Sequence, residues 1–270
     1  MIEVRNLTGG YGTPGQRIRS PLLYPARNHM GGYGALEAVG DVSLTFPDGQ
    51  ITAVIGPNGC GKSTVLKLCC GQLNPSKGSA FIDGRHISSL SRTETARRIS
   101  LLPQSRAVPD ITVERLVLHG RFPWLGYPRV YRAEDKAAAE TAMEKTGILD
   151  KRKKEVSRLS GGERQKAYLA MLLAQSTGNV LLDEPAAYLD IARQLELLRL
   201  LCFLKNEGKA VAVVLHDINA ALEWADTVAV MKQGKLLAAG TPKEILSSGA
   251  VEKAFGVRVS RREQYVFALE

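Results

Sequence analysis

Apolar and polar residues alternate over 2–8 and again over 41–46, the period expected of strands with one buried face. Pro47-Asp48-Gly49 turns the second of these into a continuous apolar run, Ile51-Thr52-Ala53-Val54-Ile55. The two alternating strands predict an antiparallel flap, and the apolar run predicts a strand buried on both faces. A helix-compatible run follows over 65–70. Residues 79–82 with Asp83-Gly84 read as strand and turn, 91–98 as a polar helix, and Ser100-Leu101-Leu102 as a short strand that Pro103-Gln104 ends. The character then changes. Residues 112–121 and 133–146 have helical patterns, the second with Glu134 and Asp135 in its first turn and Gly147 at its end. They predict an inserted helical subdomain over about 105–160. Helices over 163–175 and 191–206 then alternate with buried strands over 180–182 and 210–215, the second expected to be the last buried strand. A short hairpin around Gln233-Gly234 and a helix over 242–246 complete the readable tail. This alternation is that of an α/β fold with a mostly parallel sheet covered on both faces.

Residues 13–32 do not fit the pattern. They are rich in Gly and Pro, carry Arg17, Arg19, Arg27 and His29 without an acid, and lie between two copies of Gly-Gly-Tyr-Gly at 9–12 and 31–34. They read as a loop insertion between the first two strands. At 270 residues and 44% hydrophobic content, the chain has enough apolar material for a full core. The net charge of +9 favours anionic partners without choosing among nucleotide, nucleic acid and lipid. The densest basic cluster, Lys151-Arg152-Lys153-Lys154, reads as a solvated face. Cys60, Cys69, Cys70 and Cys202 form no C-x-x-C pair, so reduced thiols are expected, with neither disulfide nor zinc. No signal peptide is expected from the opening residues, and the longest apolar run, 167–174, is too short to span a bilayer.

Between the apolar strand and the helix lies Gly56-Pro57-Asn58-Gly59-Cys60-Gly61-Lys62-Ser63-Thr64, which fits G-x-x-x-x-G-K-[ST]. Its glycines let the backbone curl so that successive N–H groups point inward, and the following helix adds its positive end at the same place. Lys62 is placed for the β- and γ-phosphates and Ser63 for Mg²⁺. Farther along, Val180-Leu181-Leu182-Asp183-Glu184-Pro185 sets two carboxylates at the end of a buried strand, where open α/β sheets bind ligands. Because neighbours on a strand face opposite ways, Asp183 is expected at the metal and Glu184 at an attacking water. His216, after the strand over 210–215, reads either as an ordinary strand-end residue or as a donor to the γ-phosphate. Gln104 is likewise either a plain loop residue or an amide touching both metal shell and water.

Leu159-Ser160-Gly161-Gly162-Glu163-Arg164-Gln165 contains a capping box, Ser160 with Glu163, which needs no ligand. Its two consecutive glycines, however, leave bare N–H groups at a helix start and suit a phosphate. Since the first phosphate site is already supplied by 56–64, this second one is expected to serve a nucleotide held by another copy of the chain.

In this order the motifs resemble the nucleotide-binding subunit of ATP-binding cassette (ABC) transporters over nearly the whole chain. The resemblance implies a P-loop NTPase core with an N-terminal antiparallel β flap and an inserted helical subdomain, ATP and Mg²⁺ as cofactors, and hydrolysis of ATP. It makes Gln104 the glutamine loop, 159–165 the signature motif and His216 the switch histidine. It further implies a head-to-tail homodimer on a transmembrane permease dimer, an extracytoplasmic substrate-binding protein as indirect partner, no nucleic acid, and a place at the cytoplasmic face of the membrane. Leu90-Ser91-Arg92, Ala96-Arg97-Arg98-Ile99, Leu102-Pro103-Gln104 and His119-Gly120-Arg121-Phe122-Pro123-Trp124 are similar to importers of iron-siderophores, haem or cobalamin. The family stacks adenine on an aromatic residue near the end of the first strand. Counting from the N-terminal strand selects Tyr11, and counting back from Gly56 selects Tyr33. Departures from the family pattern are Asn179 within the apolar run, Glu163 in place of a common glutamine, and Ala186-Ala187-Tyr188-Leu189-Asp190 after the carboxylates. The rival class is a cassette ATPase of DNA repair, ribosome rescue or cluster assembly. The single phosphate loop and the lack of a heptad arm oppose it.

Overall fold

Every residue of strand β3 (Ile51–Ile55) is buried, and its alternate side chains feed two different cores. Ile51, Ala53 and Ile55 join one, and Val54 the other. The same division runs through β7 (Asn179–Asp183), β8 (Ala210–Val214) and β9 (Thr227–Lys232), with Leu181, Ala212 and Ala229 on the side of Val54. Continuous apolar runs are what such doubly covered strands require. The computed structural model describes residues 1–11, 36–187 and 189–260.

Within these residues two sheets form. The larger has the order β10-β9-β3-β8-β7-β6, with β6 spanning Ile99–Leu102 and β10 Lys235–Gly240. It is parallel except for β10, which pairs antiparallel with β9. The smaller sheet is antiparallel, in the order β2-β1-β4-β5: β1 is Ile2–Tyr11, β2 Leu36–Phe46, β4 Lys77–Ile82 and β5 Arg85–His86. Helix α1 (Lys62–Cys69) contributes Val65, Leu66, Leu68 and Cys69 to the core shared by the two sheets. On the far face of the parallel sheet pack α3 (Val113–His119), α4 (Ala133–Lys145), α5 (Gly161–Ala174), α6 (Ile191–Asn206) and α7 (Ile218–Trp224). Helix α2 (Arg92–Arg98) precedes β6, and α8 (Pro242–Ser248) and α9 (Ala250–Phe255) follow β10.

Two expectations need correction, and one helix lies beyond what the sequence pattern assigns. The strand over 210–215 is not the last buried one: β9 follows it, parallel to β3, with four of its six residues buried. Its sequence reads as a hairpin arm, which it also is, but pattern alone does not reveal the second neighbour. Strand β1 continues to Tyr11, because Gly9 and Gly10, which look like breaks, pair with Val39 and Glu37. Helix α9 was not expected; Gly249 and Gly256, both left-handed, confine it to six residues, too few for a readable period. The segment 13–32 and Tyr33 lie outside the described residues.

The string 119–124 ties the helices together. Arg121 Nε donates to Asp135 Oδ1 (3.0 Å) and its Nη1 to Ala174 O (3.0 Å), while Trp124 Nε1 donates to Gln175 O (2.8 Å). The side chains of Arg121 and Asp135 are only 12% and 4% exposed. Burial opposes ionisation of Asp135, but the Arg132 N–H and the Arg121 guanidinium outweigh it and hold the carboxyl below the usual range. A lowered pKa means stability present above the unfolded-state value and lost as pH falls toward the folded one. Asp135→Ala leaves Arg121 buried without its counter-ion and is expected to cost about 3 kcal/mol, read as a lower urea midpoint at pH 7. An unchanged midpoint would show the pair to be dispensable.

Candidate nucleotide site

The loop 56–61 takes its curl from two glycines that no other residue replaces. Gly56 has φ 155°, and a Cβ there would lie 2.3 Å from Met231 O; Gly61 has φ 100°, and a Cβ there would lie 2.5 Å from Ala38 O. The loop is therefore pressed between β9 and β2. The Gly234 N–H of the β9–β10 turn donates to Cys60 O (3.1 Å), bracing it further. Lys62, 4% exposed, donates Nζ to Gly56 O (2.8 Å) and Pro57 O (3.0 Å), so its charge sits inside the loop. Pro57, Asn58 and Gly59 form the rim, and Thr64 is buried in α1. Burial pushes the Cys60 thiol up, only partly offset by Lys62, so it stays protonated at neutral pH.

The register of β3, β8 and β7 brings the remaining groups to the same end of the sheet. Ser63 Oγ donates to Asp183 Oδ1 at 2.8 Å, joining the start of α1 to the end of β7. Asp183 is 3% exposed, and burial raises its pKa against the pull of Ser63, Lys67 and Lys62. A buried carboxylate beside a hydroxyl is a set of hard oxygen donors, and a cation there would restore the charged form, so these residues fit Mg²⁺.

Glu184 does not continue the strand. Its φ is 51°, so a backbone turn rather than strand alternation separates its direction from that of Asp183. His216 Nε2 lies 2.8 Å from Glu184 Oε2, and Gln104 Nε2 donates to the same oxygen. The Glu184 side chain is 10% exposed and that of His216 49%. Gln104 and His216, expected at the ends of separate strands, thus converge on one oxygen of Glu184. Beneath them is a cavity of about 120 Å³ bordered by Ala187, Gln194, Leu198 and Leu215.

Tyr11 stands at the end of β1, 39% exposed, its hydroxyl accepting from Lys67 Nζ (3.0 Å) on α1. Ser160, Gly161 and Gly162 open α5: Ser160 N–H donates to Glu163 Oε2 (2.8 Å) and Glu163 N–H to Ser160 Oγ (3.3 Å). Among the described residues, no hydrogen bond or ion pair links this turn to 56–64. Sequence reasoning missed how α5 is tied to the carboxylates. Gln165 Nε2, 8% exposed as a residue, donates to Pro185 O at 2.6 Å, next to Glu184. A glutamine on the inward side of a helix otherwise lined with Ala, Leu and Tyr was the only available signal.

The family model described as "ABC transporter" matches residues 39–187. The chain belongs to the ABC transporter family. As an ABC cassette it binds ATP and hydrolyses it. Among curated relatives, the ferric enterobactin transport ATP-binding protein FepC of Escherichia coli is 44% identical over 229 residues, covering 84% of each chain. The probable siderophore transport system ATP-binding protein YusV of Bacillus subtilis is 38% identical (87% of this chain, 86% of the relative), and the hemin import ATP-binding protein HmuV of Nocardia farcinica 37% (92% and 88%). A dimeric ATP-binding cassette in a post-hydrolysis state with ADP and Pi shares the fold of this ABC cassette, with TM-score 0.73 and 24% identity over 90% of this chain and 99% of that one.

Proposed function

We propose that this ABC cassette powers import of a ferric siderophore, two copies clasping two ATP molecules and driving a membrane permease. The identity to FepC, spread over 84% of both chains, carries the reading. Supporting it, Val108, Trp124, Tyr127 and Val130, all between 105 and 133, are large apolar side chains left exposed, as a surface that meets a permease would be. Among the described residues no helix is long and apolar enough to cross a membrane, so in this reading the permease supplies the attachment, at its cytoplasmic face, while an extracytoplasmic binding protein delivers cargo.

In the mechanism we infer, the N–H groups of 58–62 and the Lys62 ammonium hold the β- and γ-phosphates, and Ser63, Asp183 and Gln104 would hold Mg²⁺. When bound, Mg²⁺ neutralises charge on the phosphate oxygens. Glu184 accepts a proton from the attacking water, oriented by Gln104, and His216 turns its ring toward the γ-phosphate. Tyr11 or Tyr33 stacks on adenine. Ser160, Gly161 and Gly162 of one copy complete the site of its partner, so neither copy hydrolyses well alone.

The test is to purify the cassette with its genomic neighbours and measure hydrolysis in vesicles. Binding protein loaded with ferric siderophore is expected to stimulate phosphate release above the unloaded protein. Stimulation by haem or cobalamin alone would reassign the cargo. Stimulation by nucleic acid with no permease would overturn the transport reading.

A further inference from the structure

Gly162, the second glycine at the start of α5, is covered by a side chain from another element, whereas a Cβ on Gly161 would meet nothing within 4 Å. A Cβ on Gly162 would lie 2.7 Å from Arg193 Nε, 2.8 Å from Cδ and 2.9 Å from Cζ, so the guanidinium rests on the Gly162 backbone. Arg193 belongs to the first turn of α6. Its N–H donates to Oδ1 of Asp190, the N-cap of that helix (2.9 Å), and its Nε lies 3.5 Å from Asp190 Oδ2. Next to it, Gln194 donates Nε2 to Leu189 O (2.9 Å) and borders the cavity under Glu184 and His216. Two further links tie α5 to this region: Gln165 Nε2 to Pro185 O in the segment ahead of α6, and Lys166 Nζ to Glu196 Oε2 of α6 at 2.8 Å.

The first turn of α6 is therefore hydrogen-bonded on one side to the segment that follows Glu184 and packed on the other against Gly162. Of these links, Arg193 is the one that reaches Gly162, its flat guanidinium packed where a Cβ on that residue would stand. We propose that Arg193 is a positioning residue that fixes Gly162, and through it the turn 160–162, to the segment after Glu184, so that one subunit's two half-sites shift together. This rests on the reading above that 160–162 serves the partner's ATP. The consequence is mechanical: when Glu184 and its neighbours respond to ATP in one site, the glycine turn that closes the other site is carried with them.

The full chain is tested with Arg193→Ala and Arg193→Lys, each also combined with Glu184→Gln. Arg193→Ala is expected to leave binding of a fluorescent ATP analogue within about twofold of wild type, since the loop 56–64 is untouched. In the Glu184→Gln background it should raise the ATP concentration for half-maximal dimerisation about tenfold. Hydrogen exchange should quicken at 161–165 and at 187–190 together. Arg193→Lys, which keeps the charge without the flat face, should recover less than half of the lost dimerisation; full recovery would assign the effect to charge and overturn the contact geometry. Unaltered exchange in both segments, or dimerisation at the parent's ATP concentration, would also overturn the proposal. If the Glu184→Gln parent itself stays monomeric with ATP, the shared-nucleotide reading fails separately, while the exchange data still decide the role of Arg193.

Discussion

Glu184→Gln is expected to slow phosphate release by ~100-fold or more, the scale of a lost general base, while ATP still binds and accumulates in a stable dimer. The geometry makes this a clean substitution. Gln104 and His216 both reach Oε2 of Glu184, and an amide oxygen at that position accepts from both, so what is removed is the negative charge and the proton acceptor. Steady-state phosphate release and sedimentation with ATP measure the two halves of the prediction. Wild-type turnover would remove Glu184 from the chemistry, and slow turnover without a dimer would separate the base from the assembly.

Lys62→Ala is expected to act earlier, on binding. Hydrogen bonds to charged groups are worth about 1.5–3 kcal/mol each, so ATP affinity should fall ~10- to 100-fold. The fold should survive, because the partners that Lys62 Nζ loses, Gly56 O and Pro57 O, line the phosphate loop rather than a core. Equilibrium binding of a fluorescent ATP analogue, with near-ultraviolet circular dichroism as a control, tests this. Unchanged affinity would displace Lys62 from the phosphates.

Legibility in the sequence divides along a physical line. The loop 56–64 and the pair Asp183-Glu184 are readable because their spacing is local: a strand, a tight turn and a helix must follow one another within a few residues. The doubly buried strands β3, β7 and β8 are readable because burial on both faces erases alternation. What depends on two distant segments meeting is not. Nothing in Gln165 announces Pro185, nothing in Arg193 announces Gly162, and the turn at Gly234 gives no sign that it braces Cys60. The role of β9 was hidden for the same reason, since a strand's second neighbour leaves no trace in its own residues. Strand alternation predicts opposite directions for Asp183 and Glu184, whereas the left-handed backbone of Glu184 itself sets its direction.

Strand β3, which leads straight into the phosphate loop, has β8 and β9 as its hydrogen-bonded neighbours among the described residues, and both begin beyond residue 200. A chain emerging from the ribosome therefore exposes its most recognisable motif long before it can shape it. The shape of the loop is thus set by non-local pairing, and forms only when these distant strands have come together.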